Sequence, residues 1–80
     1  MKRIFRFTAS WCQPCKVLAK NLELAKLDIP IEVIDIDVFD EVAVEYAIRS
    51  VPTLILMDGA NQKRLVGVHT PEQIREWANG

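Results

Sequence analysis

The only two cysteines of this 80-residue chain, Cys12 and Cys15, stand in the segment WCQPCK, with Trp11 before them, Gln13 and Pro14 between them and Lys16 after. Two thiols at this spacing can hold a metal, crosslink the fold, or exchange disulfides. A closed structural zinc site takes about four ligands, and the chain adds only His69, its single histidine, far along the sequence. A metal would have to be shared between chains, and an iron–sulfur cluster bridging a dimer meets the same shortage, so no metal is expected. One cysteine pair is also too few for a disulfide-stapled fold, which usually carries about four to eight cysteines.

A redox role explains the placement better. The thiolate is the nucleophile of disulfide exchange, and the first turn of a helix favours it through free N–H groups and the positive end of the backbone dipole. Cys12 is expected there. Cys15, one turn further in, is close enough to attack a mixed disulfide on Cys12 and more buried, so it is expected to be the resolving thiol. Lys16 adds a positive charge that salt screens.

The elements that must position this pair can be read on either side of it. KRIFRFTA reads as a strand, with Phe5, Phe7 and Ala9 on one side of a period-2 pattern. From Cys12 to Leu27 the period lengthens: Leu18, Leu22 and Ala25 fall on one helical face, and Lys16, Lys20 and Glu23 on the other. Ser10 is expected to cap this helix, and Pro14 is tolerated in its first turn. The dithiol therefore sits at a strand-to-helix junction.

Beyond Asp28 and Pro30, IEVIDIDV predicts a second strand, EVAVEYAIRS a helix weakened by its valines, and VPTLILM a dense apolar strand. DGAN is a turn, QKRLVGV a charged edge strand, and TPEQIREWAN a helix capped by Thr70, with Pro71 in its first turn. Trp77 is expected to pack. The order β-α-β-α-β-β-α, with a right-handed crossover and a closing hairpin, predicts one α/β domain over residues 1–80: a four-stranded mixed sheet flanked by three helices.

Composition narrows the functions. Half the residues are hydrophobic and 26% charged, the balance of a globular domain. Ten basic and eleven acidic residues are interspersed, so neither nucleic acid nor an anionic membrane surface is an expected partner. Arg6 interrupts the apolar stretch near the N-terminus, and no run approaches the ~20 apolar residues of a spanning helix. The expectation is a soluble, cytoplasmic monomer.

WCQPCK is similar to the WCxPCK active-site segment of the thioredoxin family, and the likeness continues in register through IDIDV, YAIRSVPTLILMDG and LVG to the terminal helix. The chain resembles a minimal, glutaredoxin-sized version of the thioredoxin fold, without the extra N-terminal strand and helix of longer thioredoxins. The resemblance implies that Cys12 and Cys15 are catalytic and that Pro52 is the family's cis-proline. It further implies that Trp11, Val51, Pro52 and Gly67 bind an extended substrate segment. The implied function is thiol–disulfide exchange that reduces protein disulfides. No cofactor is bound; electrons come from NADPH through a flavoprotein thioredoxin reductase, and ribonucleotide reductase is an implied client. A glutaredoxin-like donor is one alternative, although GVHTPEQ lacks the Gly-Gly turn of glutathione sites. A non-catalytic binding subunit is the other.

Two departures bear on redox tuning. Where most thioredoxins carry a buried aspartate, this chain has Arg6, which cannot act as a base; the lysine that usually partners that aspartate is replaced by Val33. Pointed at the dithiol, Arg6 would favour thiolate; snorkelling outward, it would do little. Gln13 replaces the usual glycine and, with Pro14 and Lys16, is expected to adjust the potential, toward a somewhat more oxidising value.

Overall fold

Seven elements follow in the expected order: β1 (Lys2–Thr8), α1 (Gln13–Ala25), β2 (Ile31–Asp35), α2 (Asp40–Glu45), β3 (Thr53–Asp58), β4 (Asn61–Val66) and α3 (Pro71–Asn79). A computed structural model describes all residues from 1 to 80. The strands form one sheet in the order β2-β1-β3-β4, with β1 parallel to β2 and antiparallel to β3, and β3 and β4 paired as a hairpin.

β1, the first of the four in chain order, is thus a central strand, and both its faces are covered. Ile4 packs with Leu18, Leu22 and Ala25 of α1, Leu54 and Leu56 of β3, and Ile74 of α3. Phe5 and Phe7 point the other way, into a second cluster with Ile34 and Ile55, closed by Tyr46 and Ile48. The period-2 reading named the second face and missed that Ile4 is as buried as Phe7. A strand with a neighbour on each side and helices above and below has no solvent face to mark with polar residues. On the α1 side, Lys2 is exposed at the start of the strand and Arg6 and Thr8 are only half-buried.

Several boundaries differ from expectation. Helix α1 starts one residue later and ends at Ala25, where Lys26 takes a left-handed conformation (φ 51°) and its N–H bonds Glu23 O. Strand β2 stops at Asp35 and not at residue 38. The chain turns there: Asp35 Oδ1 accepts from Asp37 N at 2.8 Å, and Asp35 O accepts from Phe39 N at 2.8 Å. Ile31 and Val33 lie exposed on this edge strand.

Helix α2 is shorter than expected, six residues against ten. It ends in a Schellman motif: Ile48 N bonds Ala43 O at 2.9 Å and Ala47 N bonds Val44 O at 3.0 Å, with Ala47 at φ 53°. Glycine is the usual residue there, because a Cβ costs energy at positive φ. Ala47→Gly is therefore expected to stabilise the fold by about 0.5–1 kcal/mol, read as a higher urea midpoint at unchanged slope.

The C-terminal helix forms as its sequence predicts. Thr70 Oγ1 accepts from Gln73 N at 3.1 Å and Gln73 Oε1 from Thr70 N at 3.0 Å, a complete capping box. Trp77 packs against the α1 face of the core, with Lys63 Nζ 5.9 Å from its ring centre.

Candidate redox site

Cys12 and Cys15 are joined as a disulfide, their Cα atoms 5.3 Å apart, at the point where β1 hands the chain to α1. Cys12 itself is the N-cap of the helix. Its backbone is extended (φ −95°, ψ 105°), and its Sγ accepts the Cys15 N–H at 3.2 Å. Ser10, expected to cap, lies exposed in the preceding turn. A sulfur in the position of a capping oxygen sits directly on the free N–H groups and dipole of α1.

The two sulfurs are less different in burial than the spacing suggests: Cys12 is 4% exposed and Cys15 1%. Both pack with Ala9, Ile36 and Val51. Cys12 is covered from outside by the loop before β3, with Val51 O 3.8 Å from its Sγ. The Val51–Pro52 peptide is cis, as the resemblance implied, and Pro52 is buried. Thr53 Oγ1 donates to Ser50 O at 2.8 Å, which ties off the loop.

Gly67 is bonded to the same loop, its N–H donating to Pro52 O at 2.9 Å, and has φ 91°, a conformation that favours glycine. A Cβ built on it would meet nothing within 4 Å, so the space it keeps open faces outward. Next to it, His69 Nε2 lies 3.0 Å from Val66 O, and His69 O accepts from Asn21 Nδ2 at 3.0 Å. The histidine fastens the β4–α3 loop to α1.

Trp11 is 68% exposed beside the pair, and its indole N–H donates to Asp37 Oδ2 at 2.8 Å. In the sequence Asp37 lies within IEVIDIDV, predicted as a strand, and no neighbouring residue marks it as the partner of Trp11. The available signal was the parallel pairing, which sets Thr8 beside Asp35 and so brings the residues after each strand to the same end of the sheet. Gln13, Pro14 and Lys16 are exposed on the first turn of α1.

Arg6 lies on the α1 side of the sheet. Phe5 and Phe7 on either side of it face the α2 cluster, and its cross-strand neighbours are Val33 and Leu54. It lines a cleft of about 250 Å³ together with Thr8, Cys15, Lys16 and Asp35. The side chain is half-buried in this cleft, which Cys15 also lines. Burial lowers the guanidinium from its ordinary value, because charge is costlier out of water.

The arrangement places a disulfide at a helix N-terminus, under a loop with an accessible backbone edge and beside an exposed indole. Comparison with known proteins agrees with that chemistry. The thioredoxin family model matches residues 2–80. A thioredoxin of Rickettsia bellii is 36% identical over 78 residues, covering 91% of this chain and 74% of the relative. One of Chlamydia trachomatis is 39% identical over 72 residues, covering 85% and 71%. Among solved structures, chloroplastic thioredoxin z superposes with a TM-score of 0.87 at 28% identity, covering 99% of this chain and 76% of that one. A mutant thioredoxin of Halobacterium salinarum gives a TM-score of 0.88 at 28% identity, covering 98% and 72%. With its Cys12–Cys15 pair at the head of α1, the chain belongs to the thioredoxin family and is a thiol–disulfide oxidoreductase.

Proposed function

We propose that the chain works in the reducing direction, passing electrons from a thioredoxin reductase to disulfides of client proteins. Cys12 thiolate attacks a client sulfur, a mixed disulfide forms, and Cys15 displaces the reduced client while closing the internal disulfide. The observation that carries this reading is the Cys12 sulfur on the α1 N-terminus, directly under the Val51 carbonyl. A client strand laid along Val51 and Pro52 would pair with that backbone as an added strand. Trp11 and Gly67 would flank it, and Gly67 would leave room for its main chain.

The reductase draws on NADPH, so the chain itself needs no bound cofactor. An enzyme that forms a disulfide at each turnover, such as ribonucleotide reductase, is the kind of client this serves, in the cytoplasm and with the chain as a monomer. Gln13, Pro14, Lys16 and Arg6 adjust the potential by changing the dipoles and charges near the sulfurs.

The test is a coupled assay in which NADPH oxidation by thioredoxin reductase is followed with this chain and a disulfide-bearing protein. Turnover is expected with that reductase and not with glutathione as the sole electron source. The potential is expected near the thioredoxin value of about −270 mV, displaced somewhat upward. A value close to about −120 mV, that of a strong oxidant, would reverse the assigned direction.

A further inference from the structure

The resolving step needs a base. Cys15 is 1% exposed and must lose its proton before it can attack Cys12. Arg6, at the position of the family's acid, cannot take that proton. The cleft beneath Cys15 nevertheless holds a carboxylate that comes from a different strand. Thr8 pairs with Asp35 and Arg6 with Val33, so Arg6, Thr8 and Asp35 share the face of the sheet under α1. Ile34, next to Asp35, points into the opposite cluster. Strand alternation therefore directs Asp35 toward α1, and it lines the same cleft as Cys15 and Arg6.

We propose that Asp35 accepts the Cys15 proton across this cleft, replacing the missing acid at position 6. Asp35 Oδ1 is occupied by the Asp37 N–H, which fixes the carboxylate and leaves Oδ2 as the accepting atom. The cleft's space of about 250 Å³ far exceeds the ~10–15 Å³ that one water needs, so a water can carry the proton between sulfur and carboxylate. Arg6 from β1 and Lys16 from α1 face the same space, and Asp37 follows in the turn. The two cations place positive charge beside the cleft in which the thiolate forms.

The balance is closed within the pair and its client. The Cys15 S–H bond breaks and its proton goes to Asp35. The Cys15 sulfur forms a bond to the Cys12 sulfur, and the Cys12–client S–S bond breaks with its electron pair on the client sulfur. The proton then leaves Asp35 for solvent or for that thiolate. The inference rests on Cys12 attacking and Cys15 resolving.

A stopped-flow experiment with a small aromatic disulfide separates the two steps, since each releases one coloured thiolate. In Asp35→Asn, which keeps the oxygen that accepts from Asp37 N, the first release is expected unchanged. The second is expected to slow about 100-fold near neutral pH, the low end of general-base contributions, with its pH dependence moved upward. Asp35→Glu should recover most of the rate. A second phase within about twofold of the parent in Asp35→Asn would overturn the proposal, as would equal slowing of both phases with unchanged circular dichroism. Cys15→Ser tests the underlying reading separately: it should release one thiolate only, and rapid release of two would remove Cys15 from the resolving role whatever Asp35 does.

Discussion

Cys12→Ser is expected to abolish disulfide reduction, by about 10³-fold or more, while Cys15→Ser is expected to react once and stop as a stable mixed disulfide. The asymmetry follows from the cap. Cys12 sulfur sits on the helix N-terminus at 3.2 Å from the Cys15 N–H, where negative charge is favoured, and Cys15 lies one turn deeper. Removing the attacking atom removes the covalent step, and the residual rate is that of uncatalysed exchange. Removing the resolving atom leaves attack intact and blocks release. Mass spectrometry of Cys15→Ser incubated with a disulfide-bearing protein should show the adduct on Cys12. Adducts on neither variant, or turnover by Cys12→Ser, would contradict the assignment. The serine at position 12 can still cap α1 through its hydroxyl, so lost activity will not be confused with a lost helix.

The largest effect on stability is expected from Phe7→Ala. Phe7 is fully buried in the α2-side cluster, 6.4 Å from Phe5 in an edge-on pair and 6.0 Å from Tyr46, ring centre to ring centre. Truncating a buried phenylalanine costs about 3–5 kcal/mol. A domain of 80 residues has in total only about 4–12 kcal/mol, from roughly 0.05–0.15 kcal/mol per residue. The midpoint of thermal unfolding should fall by about 12–40 °C, at roughly 4–8 °C per kcal/mol for a domain of this size. A fall below about 5 °C would mean that Tyr46 and Ile48, only half-buried, close over the gap.

How much of this was legible depended on whether the signal was local. The cap and proline of α3, the turn at Gly59 and the order of the seven elements follow from short-range chemistry, and they stand where the sequence placed them. The reach of β2 and α2 did not follow. Ile36 and Val38 continue an alternating pattern, but Asp35 folds its own carboxylate back onto Asp37 N and ends the strand. Likewise EVAVEYAIRS has no glycine or proline to mark its stop, and Ala47 ends the helix in a conformation that alanine rarely takes. Sulfur as a helix cap was missed because capping preferences are written for oxygen, and Ser10 offered a conventional answer two residues away.

The site divides in the same manner. WCQPCK announces the dithiol, and the cis bond before Pro52 was inferred from family resemblance, not from residue chemistry. The groups brought in by parallel pairing of β1 and β2, Asp37 on the Trp11 indole and Asp35 in the Cys15 cleft, lie twenty or more residues from the cysteines. Their partners are set by register, which no local pattern of charges reveals.

The central place of β1 also has a consequence during synthesis. This strand leaves the ribosome before the other three, yet its antiparallel neighbour β3 is complete only when Asp58 has been added. At about 5–20 residues per second, that is a wait of several seconds. For that time the β3-side edge of KRIFRFTA lacks its partner, even after β2 is complete at Asp35, and an open edge of this kind can pair with other chains. Arg3 and Arg6 interrupt this segment with charge, and charges within an apolar strand oppose such pairing. Arg6 thus carries its charge into that open strand before any site around the cysteines has formed.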